Sequence, residues 1–227
     1  MKYFAVSDNR QQKAEKIDAV LRDYLQEEVI KGKKILDLGC GSGHVAEYFS
    51  RANTVVAADV VEQMTTAKTD SLQFIKIDSS SLPFEENSFD IVIFNHVIYC
   101  STDQLGQLKE IYRILKKDGI CYLASANRYF PVEGFTKLPL IHYLPNRLFR
   151  SLYKTIRNTD VDLFPVGYHK LIGLIKDVGF TYREYTSEIL KNPAKYHSEY
   201  AAPFSIPVPN CISPTSIFIL RKLKHRT

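Results

Sequence analysis

The chain has 227 residues, of which 45% are hydrophobic and 24% charged, and a formal net charge of +5. Against roughly 100 to 200 residues per domain, that length favours one domain with an insertion or lid over two full domains, whose cores would be cramped. The composition excludes a disordered, collagenous or coiled-coil chain, no stretch reaches the roughly 18 uninterrupted apolar residues of a membrane span, and the charge is too small to announce a nucleic-acid binder.

In chain order, Ile17, Val20, Leu21, Tyr24, Leu25 and Val29 recur near helical spacing, which predicts an amphipathic helix over 10–31 that Gly32 ends. Residues 1–32, with Tyr3 and Phe4 ahead of the helix, read equally as a lid over a ligand or as a helix packed on the sheet. Residues 33–38 are a short apolar strand, LGCGSG a glycine-rich turn, and 44–51 a helix. A second strand at 54–59 is followed by a predicted helix at 62–69, and a third at 72–77 leads into the loop DSSSLPFEENS. Residues 89–94 form a fourth strand, 104–116 a helix stopped by Lys117-Asp118-Gly119, and 120–125 a fifth strand. Apolar strands alternating with helices predict an α/β fold with a parallel sheet covered on both faces.

After Ala126 the pattern breaks, because Pro131, Pro139, Pro145 and Pro165 punctuate an aromatic-rich segment with one predicted helix at 146–157. Residues 127–166 therefore read as a cap inserted after the fifth strand. A last helix at 168–177, ending at Gly179, precedes strands at 180–188 and 216–223; the absence of an expected helix between them suggests an antiparallel edge. The regions are thus 1–32, a core at 33–126, the cap, and 167–227, all within one domain. Cys40, Cys100, Cys121 and Cys211 show no CxxC and no histidine at metal-ligand spacing, so no metal site is expected. The N-terminus MKYFAVSDNRQQK lacks the apolar run and cleavage site of a secretory signal. A cytoplasmic, reducing environment is the expectation.

The chemistry is concentrated in Asp37-Leu38-Gly39-Cys40-Gly41-Ser42-Gly43, where glycines at the carboxyl end of the first strand let a ligand approach the backbone. Asp59 ends the second strand, where a carboxylate can accept from both ribose hydroxyls. Together they mark an adenosine-containing ligand. A dinucleotide site requires GxGxxG, and its third glycine position is occupied by His44, which disfavours a nicotinamide oxidoreductase.

The spacing Asp37-x-Gly39-x-Gly41-x-Gly43 resembles the class I S-adenosylmethionine-dependent methyltransferases of small-molecule type. Similarity extends from about Lys33 to Asn127, through Asp59-Val60-Val61-Glu62-Gln63-Met64, Ile77-Asp78-Ser79-Ser80-Ser81-Leu82-Pro83-Phe84, Ser88-Phe89-Asp90-Ile91-Val92 and the stretch from Leu108 to Gly119. The resemblance implies a Rossmann-like seven-stranded sheet of order 3-2-1-4-5-7-6, its last strand antiparallel. It implies S-adenosyl-L-methionine as cofactor and S-adenosyl-L-homocysteine as product. Asp37, Gly39, Gly41 and Gly43 would form the nucleotide turn and Asp59 would hold the ribose. Met64 would lie against the adenine, and Asp78, followed by Ser79, would contact its amino group. Val61, where the family often has a small polar residue, and the region after Asn127 depart from the pattern.

Asn95, at the end of the fourth strand, either lines the methionine end of the cofactor or belongs only to the loop. Methyl transfer from a sulfonium needs in-line positioning and no metal. An acceptor with an acidic proton also needs a base. The candidates are His96, Tyr99, His142, Tyr143 and His169, each with a structural role as the alternative: a hydrogen-bonded loop for His96, cap packing for His142 and Tyr143, a helix start for His169.

The cap and the helix after it carry Arg128, Lys137, Arg147, Arg150, Lys154, Arg157 and Lys170 against Glu133, Asp160 and Asp162. On the helix at 146–157 the basic residues share a face opposite Leu148, Leu152, Tyr153 and Ile156. That pattern reads as a solvated cap helix, or as a site for an anionic or lipid-linked acceptor or an anionic membrane surface. The apolar loop 138–145 would supply a hydrophobic pocket. Nucleic acid is not expected, since Asn95-His96-Val97-Ile98 stands where amino-group DNA methyltransferases carry Asn-Pro-Pro-aromatic. The sequence therefore points to methyl transfer to a small-molecule or lipid-like acceptor, with a non-catalytic cofactor-binding module or partner subunit as the alternative.

Overall fold

A computed structural model describes residues 8–66, 69–78, 81–131, 138–158, 163–198 and 209–222. Seven strands, β1 Lys34–Leu38, β2 Thr54–Asp59, β3 Leu72–Lys76, β4 Phe89–Asn95, β5 Leu115–Ala126, β6 Phe180–Glu184 and β7 Thr215–Lys222, form one sheet of order β3-β2-β1-β4-β5-β7-β6. β1 to β5 are parallel, and β7 runs antiparallel to both β5 and β6. Order and polarity are those the resemblance implied.

Strand alternation divides the core in two. Ile35, Val55, Ala57, Ile91, Ile93, Tyr122 and Ile219 face one cluster, which helices α1 Asp8–Leu25 and α2 His44–Ser50 cover through Ile17, Val20, Leu21, Ala46 and Phe49. Leu36, Val56, Val92, Phe94, Cys121, Leu123 and Phe218 face the other, under α3 Gln104–Ile114 and α5 Tyr168–Val178 through Leu108, Ile111, Leu171 and Ile175. Largely apolar central strands are what a sheet buried on both faces requires, and the parallel run of β1 to β5 puts their carboxyl ends on one edge.

Four sequence expectations are corrected. The first helix stops at Leu25, because Gln26 takes a left-handed φ of 56° and the amide of Glu27 turns back to Arg22 O; Val29 is left exposed. No helix occurs at 62–69 among the described residues. Thr65 instead bonds Ser42 O through both its amide and its hydroxyl, tying the segment to the glycine turn, and two adjacent threonines favour helix poorly. Lys117-Asp118-Gly119 does not separate helix from strand but lies within β5, where Asp118 adopts φ 65° and the register with β4 jumps between Phe89 and Ile91. A short helix, α6 Thr186–Lys191, fills the connection read as helix-free, and β6 is correspondingly short. Its preceding Tyr185 is buried, donating its hydroxyl to Asp23 of α1 at 2.9 Å.

The cap contains a 3-10 turn at Ile141–Tyr143 and α4 Asn146–Arg157, as expected at 146–157. Tyr99, Ile141, Phe149, Tyr153 and Leu163 form its own small core over the carboxyl ends of β4 and β5. Phe149 and Tyr153 are the residues of α4 that turn inward. Leu148, Leu152 and Ile156 lie exposed along one flank, and the helical period puts Arg147, Arg150 and Lys154 on the other. The apolar and basic stripes therefore face different directions. No helix among the described residues is long and apolar enough to cross a membrane.

Candidate active site

At the carboxyl ends of β1, β2 and β4, where an open parallel sheet receives a ligand, the glycine turn edges the candidate crevice. Gly39 adopts φ 77° and Gly41 φ 54°, a region L side chains rarely enter. Their surroundings differ. A Cβ on Gly39 would stand 2.3 Å from Val97 Cγ2, whereas one on Gly41 would meet nothing within 4 Å. Gly39 is thus demanded by packing, and Gly41 leaves bare backbone facing open space. Gly43, at the start of α2, is covered by Met64, whose Cγ would lie 2.5 Å from an added Cβ. Met64 is accordingly brought against the turn and partly buried there.

Two acids support the turn from below. Asp59 accepts the Gly41 amide at 2.8 Å on one oxygen and the Val61 amide at 3.3 Å on the other, which fixes its carboxylate while leaving each oxygen a lone pair. Asp37 is 4% exposed, and its Oδ2 has no hydrogen-bond partner. Burial first, and the neighbouring Asp59 second, push its carboxyl up to about 7, against the opposing Ala46 amide and Lys13. A buried acid with an unpaired oxygen beside bare backbone is a site short of a cationic or hydrogen-bonding partner. An adenosine ligand with a charged amino-acid end fits that donor and acceptor set: Asp59 for hydroxyls, Asp37 for positive charge, Gly41 for close approach.

Asn95 ends β4 opposite Ala124, and His96 follows in a left-handed conformation, φ 62°, held by its amide on Ala124 O at 2.8 Å. Such backbone is costly outside glycine and concentrates at functional sites. The half-buried imidazole lies 6.1 Å from the Tyr99 ring. Desolvation, then Lys13 and Lys16, push it down to about 3. At neutral pH it is an uncharged hydrogen-bonding group, and so weakly basic a ring is poorly matched to proton abstraction.

Lys13 and Lys16 belong to α1 and escaped the sequence reading. So did Arg10, whose Nη1 lies 2.7 Å from His44 Nε2. The signal was present as cations at three-residue steps beside the apolar stripe of the first helix. They place the amino-terminal half of α1 alongside the crevice. Of the remaining candidates, Tyr99 is buried in the cap core and His169 is exposed on α5. His142 lies in the 3-10 turn, but its side chain is outside the described residues, as are Ser79, Tyr3, Phe4 and Lys137. Asp78 follows β3 and is exposed. Tyr143 is exposed and donates to Tyr129 O at 2.7 Å, lining a separate cavity beyond β5. The structure therefore brings together Asp37, Gly39, Gly41, Gly43, Asp59, Met64, Asn95 and His96, and separates Tyr143 from them.

Residues 36–123 match the family model described as a methyltransferase domain. A ubiquinone/menaquinone biosynthesis C-methyltransferase, UbiE, of Haemophilus ducreyi is 34% identical over 40% of this chain and 40% of its own length. That match and the named methyltransferase relative support a class I S-adenosylmethionine-dependent methyltransferase. S-adenosylmethionine is the cofactor of that family. The zebrafish protein named arginine-hydroxylase NDUFAF5, mitochondrial, is 31% identical over 53% of this chain and 44% of its length. The chain thus spans under half the length of these curated relatives. A putative methyltransferase from Haloferax volcanii, solved in complex with the Trm112 activator, superposes with a TM-score of 0.60 over 97% of this chain and 95% of that one at 18% identity, which is a likeness of fold.

Proposed function

We propose that the protein transfers the methyl group of S-adenosylmethionine to a small-molecule or lipid-like acceptor held between the crevice and the cap. The observation that carries this reading is the buried Asp37 carboxyl, whose Oδ2 has no hydrogen-bond partner, together with the bare backbone of Gly41. The cofactor supplies a methyl group on a sulfonium, which is its own leaving group. The chain's part is binding, orientation and exclusion of water. Asp59 and the glycine turn hold the nucleoside, with Met64 and Asp78 toward its base. Asp37, ionised once a cation is present, takes the charged end, and Asn95 lines the space between. α1 closes the crevice from the side with Arg10, Lys13 and Lys16, and the described part of the cap, residues 138–158, covers the acceptor. A neutral His96 accepts a hydrogen bond from an acceptor hydroxyl or amine and so aims its lone pair. A cytoplasmic setting, with the four cysteines free, belongs to the same reading.

One of the relatives is named a hydroxylase, and function resides in the site rather than in the fold. The test is therefore a reaction. Methyl-labelled S-adenosylmethionine is incubated with the protein and panels of quinol, phenol, amine and carboxylic acid acceptors. Labelled product together with stoichiometric S-adenosylhomocysteine is expected. Tight cofactor binding with no transfer to any acceptor, restored only by an added protein, would replace this proposal with the partner-subunit alternative.

A further inference from the structure

S-adenosylmethionine ends in an amino acid, which presents an ammonium and a carboxylate side by side. Asp37 matches the ammonium, which leaves the carboxylate to a cation from another element. α1 brings one. Ile17, Val20 and Leu21 sink it into the core that α2 shares, and Asp18 accepts the Tyr48 hydroxyl of α2 at 3.3 Å. Ahead of them, Arg10 Nη1 lies 2.7 Å from Nε2 of His44, the residue that follows the glycine turn and starts α2. This stretch of α1 is thus fixed at both ends, and it passes the turn at the edge of the crevice. Lys13 stands between, on the helix side that carries Arg10 and Ile17.

Lys13 lines a cleft rather than an open surface. The residue is exposed, yet desolvation, followed by Arg10 and opposed by Asp37, holds its ammonium below the ordinary lysine range. A side chain that water reaches while protein surrounds its charge belongs to a concave wall. Beyond the desolvation of those two groups themselves, the Lys13 charge acts both on Asp37 and on His96, which stand at the ends of β1 and β4. Lys16 acts on His96, and Arg10 is engaged by His44. Asp37 Oδ2 nonetheless has no hydrogen-bond partner, so acid and ammonium face each other without bonding. A zwitterion set between them satisfies both, its ammonium on Asp37 and its carboxylate on Lys13.

We propose that Lys13 binds the carboxylate of S-adenosylmethionine, and that the site thereby selects the intact amino acid over its decarboxylated form. α1 is then part of the cofactor site and not merely a cover laid beside it. The inference deepens the methyl-transfer reading and rests on its cofactor, whatever the acceptor is.

The test is calorimetry on the full chain with two ligands, S-adenosylhomocysteine, which keeps the cofactor's amino-acid end, and its decarboxylated amine, which keeps only the ammonium. Wild type, Lys13→Met and Lys13→Arg are compared. Wild type is expected to bind the amine about tenfold more weakly, the loss of one charge-assisted hydrogen bond. Lys13→Met should weaken S-adenosylhomocysteine about tenfold and the amine by no more than about twofold, and Lys13→Arg should recover most of that loss. A purely structural role for Lys13 would weaken both ligands alike. Losses in Lys13→Met whose ratio between the two ligands stays under about threefold would overturn the assignment of Lys13 while leaving the cofactor in place. Wild type that binds neither ligand would overturn the cofactor reading and this inference with it.

Discussion

The two sides of the crevice are built by different means. On the cofactor side the working parts are backbone: Gly39 and Gly41 at positive φ, and two acids at strand ends whose partners are amides. On the side proposed for the acceptor they are side chains on a proline-punctuated segment whose small core is Tyr99, Ile141, Phe149, Tyr153 and Leu163. Backbone geometry tolerates few residue types, so the first side is written into a short motif. A side-chain surface can be assembled from many sequences, which lets one fold serve many acceptors.

If the two sides are separate, damage to one should spare the other. Phe149→Ala removes the centre of the cap core and should cost about 3 kcal/mol. Hydrogen exchange should show the loss in residues 141–157, with S-adenosylhomocysteine affinity changed less than twofold; a tenfold change would merge the two regions. Within the cofactor side, Gly39→Ala and Gly41→Ala should part company. Each bears roughly 1 to 2 kcal/mol of left-handed backbone strain, but only the alanine at 39 also strikes Val97. Denaturant melts should therefore rank Gly39→Ala as the less stable, and calorimetry should show Gly41→Ala losing more affinity than its stability explains.

A smaller effect is expected from pH. The Asp37 carboxyl is raised to about 7 in the free protein, above its ordinary value in the unfolded chain. Its contribution to stability is thus fully present in acid and is lost as pH rises through 7. A cationic ligand reverses the preference, because it binds the ionised form. Affinity for S-adenosylhomocysteine should increase up to about tenfold per pH unit between 5.5 and 7, then level off. Asp37→Asn should flatten that slope, and a slope that persists in the variant would assign it to another group.

Legibility follows the same division. The sheet could be read because its central strands are largely apolar on both faces, and the glycine turn because glycine has so few substitutes there. The end of the first helix could not, since Gln26 adopts a left-handed backbone without the glycine that would announce it. The helix expected at 62–69 gives way, over the described residues 62–66, to a tertiary bond, Thr65 to Ser42, that local propensity does not see. Arg10, Lys13 and Lys16 looked like an ordinary solvated face until folding laid α1 beside His96. Tyr143 carried no sign that its partner would be Tyr129 rather than the crevice.

The most direct test of the account is calorimetric titration of S-adenosylmethionine and S-adenosylhomocysteine into wild type and Asp59→Ala, with NADH as control. The account predicts that both bind wild type, that NADH does not, and that removing the Asp59 carboxylate weakens binding at least tenfold, about 1.4 kcal/mol. Equal affinity in the variant, or a preference for NADH, would contradict the assignment of the glycine turn and its two acids to this cofactor.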